Sequence, residues 1–158
     1  MQLFPVAAWF NDTETSSDNS FQMGTWAIDA GDGGDDATIT FYSLTPGDSG
    51  IATWPVTNTG TIPGFLDITI GVSESGAGSL GEFLLIHIYT VGYVGSIYGS
   101  SVSPEPVIDA GGGYDLNLML EPGDSLDIAL DWMVNGAYIP DAADEVIFII
   151  NFDIQPVP

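Results

Sequence analysis

Apolar and polar residues alternate one by one along two neighbouring segments near the end of the chain. The apolar members are Leu116, Leu118, Leu120, Leu126, Ile128, Leu130 and Trp132. A period of two is that of a β-strand with one buried face. Glycine (20) and proline (10) interrupt the chain at short intervals, and a helical spacing of apolar residues is almost absent. The pattern predicts an all-β sandwich of roughly nine or ten strands.

Further segments of the same kind precede this pair. The predicted strands are 21–29, 37–43, 50–57, 65–72, 82–91, 116–120, 126–132 and 145–154, with a short strand near Val107 and Ile108. Pro55 marks its strand as an edge or a bulge, because proline has no N–H for a sheet ladder. The turn Leu-x-Pro-Gly-Asp-Ser occurs at 44–49 and again at 120–125, which predicts two pseudo-equivalent hairpins.

The segment 3–10 is apolar on both faces of a strand. Its one face is Phe4, Val6, Ala8 and Phe10, and its other face is Leu3, Ala7 and Trp9. Such a strand on a solvated sheet edge would invite another chain to pair with it. It is therefore either a central strand of its own subunit or a strand given to a neighbouring subunit.

The charge of the chain is entirely of one sign. It has 22 Asp and Glu, no Lys or Arg, and a formal net charge of −22. A chain without basic residues has no patch for phosphate groups, so it is not expected to bind nucleic acid or anionic membranes. No apolar run approaches the length of a membrane span.

So many like charges repel one another on one small domain. Divalent cations, high salt or an acidic medium would relieve the repulsion, and all three favour a secreted protein, extracellular or at the cell surface. Cysteine is absent, so a disulfide framework or a thiolate metal site is impossible. The start of the chain lacks a basic segment, so we expect any secretion signal to have been removed already.

A series of short motifs is spread in order over nearly the whole chain. They are Ala8–Ser16, Asn19–Phe21, Gly24–Thr25, Leu44–Gly50, Val56–Gly60, Gly64–Ile68, Leu120–Ser125 and the strand Phe148–Gln155. The series resembles the TasA/camelysin family, to which archaeal bundling pili are similar. The resemblance implies a secreted jelly-roll subunit of biofilm-matrix fibres, in which each subunit gives an N-terminal strand to the next subunit's sheet. The bacterial members are usually rich in lysine, whereas this chain has none.

On this basis residues 1–12 are a donor strand and residues 13–158 are a single jelly-roll β-sandwich domain. The predicted function is a structural subunit of an extracellular filament or pilus, with other copies in a head-to-tail homopolymer and neighbouring filaments as partners. The donor residues would be Leu3, Phe4, Val6, Ala8, Trp9 and Phe10. The groove that receives the donor would be lined by one or more long apolar strands, with 83–90 and 145–154 as candidates. The alternative is a monomeric, calcium-dependent carbohydrate-binding or adhesive β-sandwich.

Enzymatic activity is not expected. Some camelysin-type proteins are described as metalloproteases, but a zinc protease needs about three protein ligands, usually including two histidines. This chain has one histidine, His87, between Ile86 and Ile88 in a predicted strand, where a structural role is favoured. One such histidine does not support a Ser-His-Asp set either.

An acidic, glycine-rich turn is the best candidate for a metal site. Its carboxylates are Asp29, Asp32, Asp35 and Asp36. Calcium prefers several oxygen ligands, so the turn predicts a calcium site, with a solvated acidic turn as the alternative. A second, weaker acidic cluster is Asp141, Asp144 and Glu145.

Two surface features remain. Asn11, followed by Asp12 and Thr13, is a predicted N-glycosylation site. The aromatic residues, including Trp54 and Trp132, could form a platform for sugars, but we favour packing in the core or at subunit interfaces.

Overall fold

The computed structural model describes residues 24–25, 27–31, 34–92 and 95–157. The strands are β1 (Ile28–Asp29), β2 (Asp36–Tyr42), β3 (Ser49–Asn58), β4 (Gly64–Ser75), β5 (Leu84–Thr90), β6 (Ser96–Tyr98), β7 (Glu105–Pro106), β8 (Gly112–Leu120), β9 (Ser125–Val134) and β10 (Glu145–Pro156). The helical elements are one turn of α-helix, α1 (Leu80–Phe83), and a 3-10 helix (Val107–Asp109). Among the described residues, no helix is long and apolar enough to cross a membrane.

The strands form two antiparallel sheets packed face to face. The six-stranded sheet has the order β1-β3-β9-β5-β6, with β7 also paired to β5, and the four-stranded sheet has the order β2-β10-β4-β8. Most connections cross from one sheet to the other, which is the arrangement of a jelly roll. The predicted all-β sandwich is confirmed.

Alternate residues of each strand fill the space between the sheets. The largest fully buried side chains include Phe148, Phe152, Leu66, Ile68, Leu84, Ile86, Ile88, Ile128 and Leu130. Each such side chain contributes about 1.5–3 kcal/mol relative to its exposed state. Trp132 packs edge-to-face on Phe41 with ring centroids 5.4 Å apart, and Trp54 lies 6.5 Å from Phe152. These two tryptophans pack against the core, as predicted.

The two Leu-x-Pro-Gly-Asp-Ser turns have the same local structure. The Asp48 carboxylate accepts a hydrogen bond of 2.7 Å from the N–H of Thr45, and Asp124 accepts one of 3.1 Å from Glu121. Gly47 and Gly123 have φ of 91° and 86°, a region that side chains disfavour. The predicted equivalence of the turns is confirmed. The prediction that each turn forms a hairpin is wrong, because each turn joins a strand of one sheet to a strand of the other.

Asn58, at the end of β3, connects three parts of the backbone inside the protein. Its side chain is 0% exposed. The amide nitrogen Nδ2 donates to the carbonyls of Ile62 (3.0 Å) and Leu120 (2.9 Å), and Oδ1 accepts from the N–H of Gly60 (2.9 Å). Asn58 therefore satisfies buried polar groups near the β3–β4 connection and at the end of β8.

Several segments differ from the sequence prediction. Of the predicted strand 21–29, the described residues 24, 25 and 27 are not in a strand and only Ile28–Asp29 is, and β6 and β7 were not predicted. Residues 82–83 belong to α1 rather than to a strand, and the N–H of Gly81 donates to Glu74 at 2.6 Å in this turn. The expected strand at Val107 and Ile108 is a 3-10 helix that buries Val107. A short apolar run marks burial, and it does not distinguish a strand from a helical turn.

Candidate functional site

The predicted donor strand, residues 1–12, lies outside the described residues. The same holds for its interface residues Leu3, Phe4, Val6, Ala8, Trp9 and Phe10 and for the predicted glycosylation site Asn11. The edges of the two described sheets are the places where a strand of another subunit could add.

The sheet edges differ in how open they are. In the six-stranded sheet, β1 covers β3 only at Thr57 and Asn58. Beyond them Pro55 lacks an N–H, and Gly31 lies so close that a Cβ there would be 2.8 Å from the Pro55 ring. The four-stranded sheet ends in β2 and β8, neither of which is paired along its outer edge by a described strand. β8 is the longer of these two, with 9 residues against 7. The predicted edge position of Pro55 is confirmed.

A groove of about 500 Å³ opens between β6 and β8, where the two sheets separate. Leu116 and Leu118 of β8 and Ile97 of β6 line this β6–β8 groove, and all three are half-buried. Tyr114 also lines it, and its ring meets that of Tyr98 edge-to-face with centroids 6.4 Å apart. The apolar side chains of an edge strand are thus incompletely covered beside an open backbone ladder.

The two predicted acceptor strands are not sheet edges. β10 pairs with β2 on one side and with β4 on the other. β5 pairs with β9 on one side and with β6 and β7 on the other. A donor therefore cannot add its backbone ladder directly to either strand, although Thr90 of β5 lines the β6–β8 groove. That these segments line an acceptor groove stays a prediction. Strands that are apolar on both faces lie in the middle of these sheets, where their backbone groups are already paired.

The acidic turn before β2 is described only in part. The Asp29 carboxylate accepts a 2.7 Å hydrogen bond from the N–H of Gly31, Asp35 precedes β2, and Asp36 is its first residue. Asp32 lies outside the described residues. Within the described ranges, no three His, Asp or Glu side chains lie together in a way that could hold a metal ion. Calcium binding here stays a prediction.

The second acidic cluster has a structural role at Asp144. This residue is 2% exposed and accepts hydrogen bonds from the Tyr138 hydroxyl (2.7 Å) and the N–H of Gly78 (2.8 Å). These hydrogen bonds lower the pKa of the Asp144 carboxyl below its usual value, and the bond from Tyr138 has the largest effect. Through these hydrogen bonds, Asp144 links the loop after β4 to the loop before β10.

A polar cluster that the sequence did not indicate surrounds His87 on the outer face of β5. The His87 ring is stacked on Tyr89 at 4.6 Å, and its Nε2 lies 2.9 Å from Ser96 Oγ. Its Nδ1 lies 3.9 Å from Asp131 Oδ2, beyond hydrogen-bonding distance. The described contacts therefore do not form a complete Ser-His-Asp chain. His87 is 8% exposed but lies outside the core, because it faces away from the opposite sheet. Its alignment with Asp131 depends on the β5–β9 register, which the sequence does not reveal.

Three aspartates lie side by side across the four-stranded sheet. Asp67 of β4 is opposite Asp115 of β8 and also opposite Asp153 of β10. Partial burial, and then repulsion from Asp115 and Asp153, raise the pKa of Asp67 above its usual value of 3.8. Without any Lys or Arg in the chain, no basic side chain relieves this row.

Replacing Asp67 by Asn is expected to stabilise the protein at neutral pH and low salt. Like charges directly opposite in a sheet are destabilising, and Asp67→Asn removes both pairs of the row, so the melting temperature should rise by roughly 2–4 °C. The raised pKa means that the folded state binds more protons than the unfolded state. The repulsion is therefore lost as pH falls toward 3.8, and the advantage of the variant should disappear there. Thermal unfolding at several pH values measures this.

Two variants serve as controls for Asp67→Asn. Asp127→Asn removes the same charge from an exposed site and should leave the melting temperature nearly unchanged. Asp144→Asn should destabilise the protein at neutral pH. Because the pKa of Asp144 is lowered in the folded state, the stability that this carboxylate gives the wild type is lost as pH falls below 3.8. An Asp67→Asn variant no more stable than wild type in low salt would contradict the repulsion.

In comparisons with known proteins, no family model matches this chain, and no curated protein matches it either.

Proposed function

We propose that this protein is the repeating subunit of an extracellular filament of the biofilm-matrix type, in which each subunit donates residues 3–10 to the next. The observation that supports this most is the β6–β8 groove beside the open edge of β8. An extended peptide that adds to such an edge gains ladder hydrogen bonds and places alternate side chains in the groove. Membership of a TasA/camelysin-like family belongs to the proposal and rests on the motif series. The proposal assigns the chain no catalytic activity.

The donor segment matches the groove in size and polarity. β8 has 9 residues, with a register shift against β4 at Leu116 and Asn117, so a donor that spans residues 3–10 would pair with it on either side of this irregularity. Phe4, Val6, Ala8 and Phe10 would continue the half-buried row of Leu116 and Leu118 across the gap between the sheets. Each large side chain buried there contributes about 1.5–3 kcal/mol, so the junction should dissociate very slowly.

Charge also favours this segment as the donor. The first 11 residues contain no Asp or Glu, so all 22 acidic residues follow them. A segment without acidic side chains can approach the strongly acidic body of another subunit with little repulsion. The contact joins different surfaces of two copies, so it does not have to close and can propagate into a filament.

Disulfide cross-linking tests the junction, because the chain has no cysteine of its own. Phe4, Val6, Ala8 and Phe10 are changed to Cys in turn, each together with Leu118→Cys. Side chains on paired strands come within about 4–5 Å of each other at Cβ, close enough for a disulfide. Oxidation should convert filaments of at least one pair into a ladder of covalent multimers on a denaturing gel.

The matched control pairs the same donor cysteines with Ile39→Cys on β2, at the opposite side of the sandwich. We expect covalent multimers from at least one pair that contains Leu118→Cys and none from the pairs that contain Ile39→Cys. Ladders with Ile39 alone would move the acceptor to β2 and overturn the assignment of the groove. A monodisperse 16.6 kDa species without filaments would contradict the filament itself.

A further inference from the structure

A second groove, of about 450 Å³, lies on the outer face of the six-stranded sheet, where β3, β9 and β5 run side by side. We refer to it as the outer groove. Ile51, Leu85 and Met133 are its apolar lining, and Asp131 lies in the sheet directly between Ile51 and His87. Ile51 is 70% exposed and Met133 is 44% exposed. Large apolar side chains exposed together beside a concave site are typical of an interaction surface.

The charge in the outer groove is unbalanced. Asp131 is the only acidic residue among those described as lining it. Oδ1 of Asp131 accepts a hydrogen bond of 3.3 Å from the Tyr89 hydroxyl. Oδ2 faces Nδ1 of His87 at 3.9 Å, and this buried nitrogen has no hydrogen-bond partner among the described residues. The Asp131 side chain is 40% exposed, so its carboxylate is open to a ligand.

We infer that the outer groove binds a lysine side chain of a partner protein. The aliphatic stem of a lysine would lie along Ile51 and Met133, and its ammonium group would donate to Oδ2 of Asp131. Arginine fits less well, because its guanidinium prefers both carboxylate oxygens and Oδ1 already accepts from Tyr89.

The partner must be a different protein. This chain contains no Lys or Arg, so another copy of it has no basic side chain of that length to place in the groove. The strongly negative net charge of the chain would also attract a basic partner over a distance and speed the encounter. The inference does not depend on the filament junction, which lies at the β6–β8 groove.

Titration with Nα-acetyl-lysine amide, followed by NMR, tests the inference on the full chain. The single histidine gives one pair of imidazole signals, so His87 reports binding beside Asp131 without ambiguity. A saturable shift is expected for the lysine probe, with about tenfold weaker binding of the neutral Nα-acetyl-norleucine amide and weaker binding of Nα-acetyl-arginine amide.

Asp131→Asn should weaken binding of the lysine probe about tenfold or more, whereas Asp127→Asn, which removes the same charge on the same strand outside the groove, should not change it. If both variants weaken binding of the lysine probe equally, or if ammonium chloride causes the same shift of the His87 signals, the effect is general charge attraction and the inference is wrong. Equal binding of the lysine and norleucine probes to the wild-type chain would overturn it as well, and that comparison needs no variant.

Discussion

Removal of residues 1–10 is expected to leave a folded subunit that forms no filaments. The described residues already close both sheets around a buried core, so the truncated chain keeps the contacts that stabilise the sandwich. What it loses is the strand that would enter the β6–β8 groove of the next subunit. Circular dichroism and thermal unfolding should show a cooperative β-protein, and negative-stain microscopy should show no filaments.

A synthetic peptide of residues 1–14 completes this test. Mixed with the truncated subunit, it should give a soluble one-to-one complex that cannot polymerise, with a higher melting temperature because it binds only the folded state. Leu118→Asp in the truncated subunit should abolish peptide binding and leave the fold intact, since Leu118 is half-buried at an edge. Filaments from the truncated chain, or unfolding of it, would refute the donor-strand mechanism.

Replacement of Asn58 by Ala is expected to cause the largest loss of stability among single polar substitutions in the described core. The change leaves the carbonyls of Ile62 and Leu120 without their side-chain donor, whereas the N–H of Gly60 keeps the carbonyl of Ala27 as an acceptor at 3.2 Å. Each orphaned buried group costs about 1–3 kcal/mol, so a loss of about 3 kcal/mol is expected. For a chain of this size that lowers the melting temperature by roughly 6–12 °C.

The variant Asn58→Asp tests whether the hydrogen bonds donated by Asn58, rather than its volume, stabilise the fold. The carboxylate has nearly the same shape and still accepts from Gly60, but it turns two donated hydrogen bonds into repulsion between oxygens. We therefore expect Asn58→Asp to be less stable than Asn58→Ala at neutral pH. Asn151→Ala, at an exposed position of β10, should change stability by less than about 0.5 kcal/mol. A small effect of Asn58→Ala, comparable to that of Asn151→Ala, would show that Asn58 is not the hub that its contacts indicate.

The sequence predicts the strands well because alternation reports which side of each segment is buried. Ile39 and Phe41, and the row from Leu126 to Leu130, face the core as their spacing requires. The partners of a strand depend on long-range register, and no local pattern encodes them. That is why the sequence does not reveal which strand has a free edge.

The same limit applies to the candidate sites. The approach of His87 to Asp131 follows from pairing between β5 and β9, and the row of aspartates around Asp67 follows from the register of three strands. An acidic residue such as Asp144 also looks the same in the sequence whether it is solvated or buried. Its partners Tyr138 and Gly78 are known only once the two loops have been brought together.

The position of β10 in the four-stranded sheet also governs when the chain can fold. Phe148 lies opposite Ile39 on one side and Val72 on the other, so strands from the first half of the chain are joined only by one from its end. Proteins dominated by such distant pairings fold in milliseconds to seconds, much more slowly than helical bundles. During synthesis the early strands must wait for β10, and β8, which pairs with β4, has no completed sheet to belong to until then. On the proposed mechanism, a subunit can therefore accept a donor only after its last strand has been synthesised and paired, so only complete subunits can extend a filament.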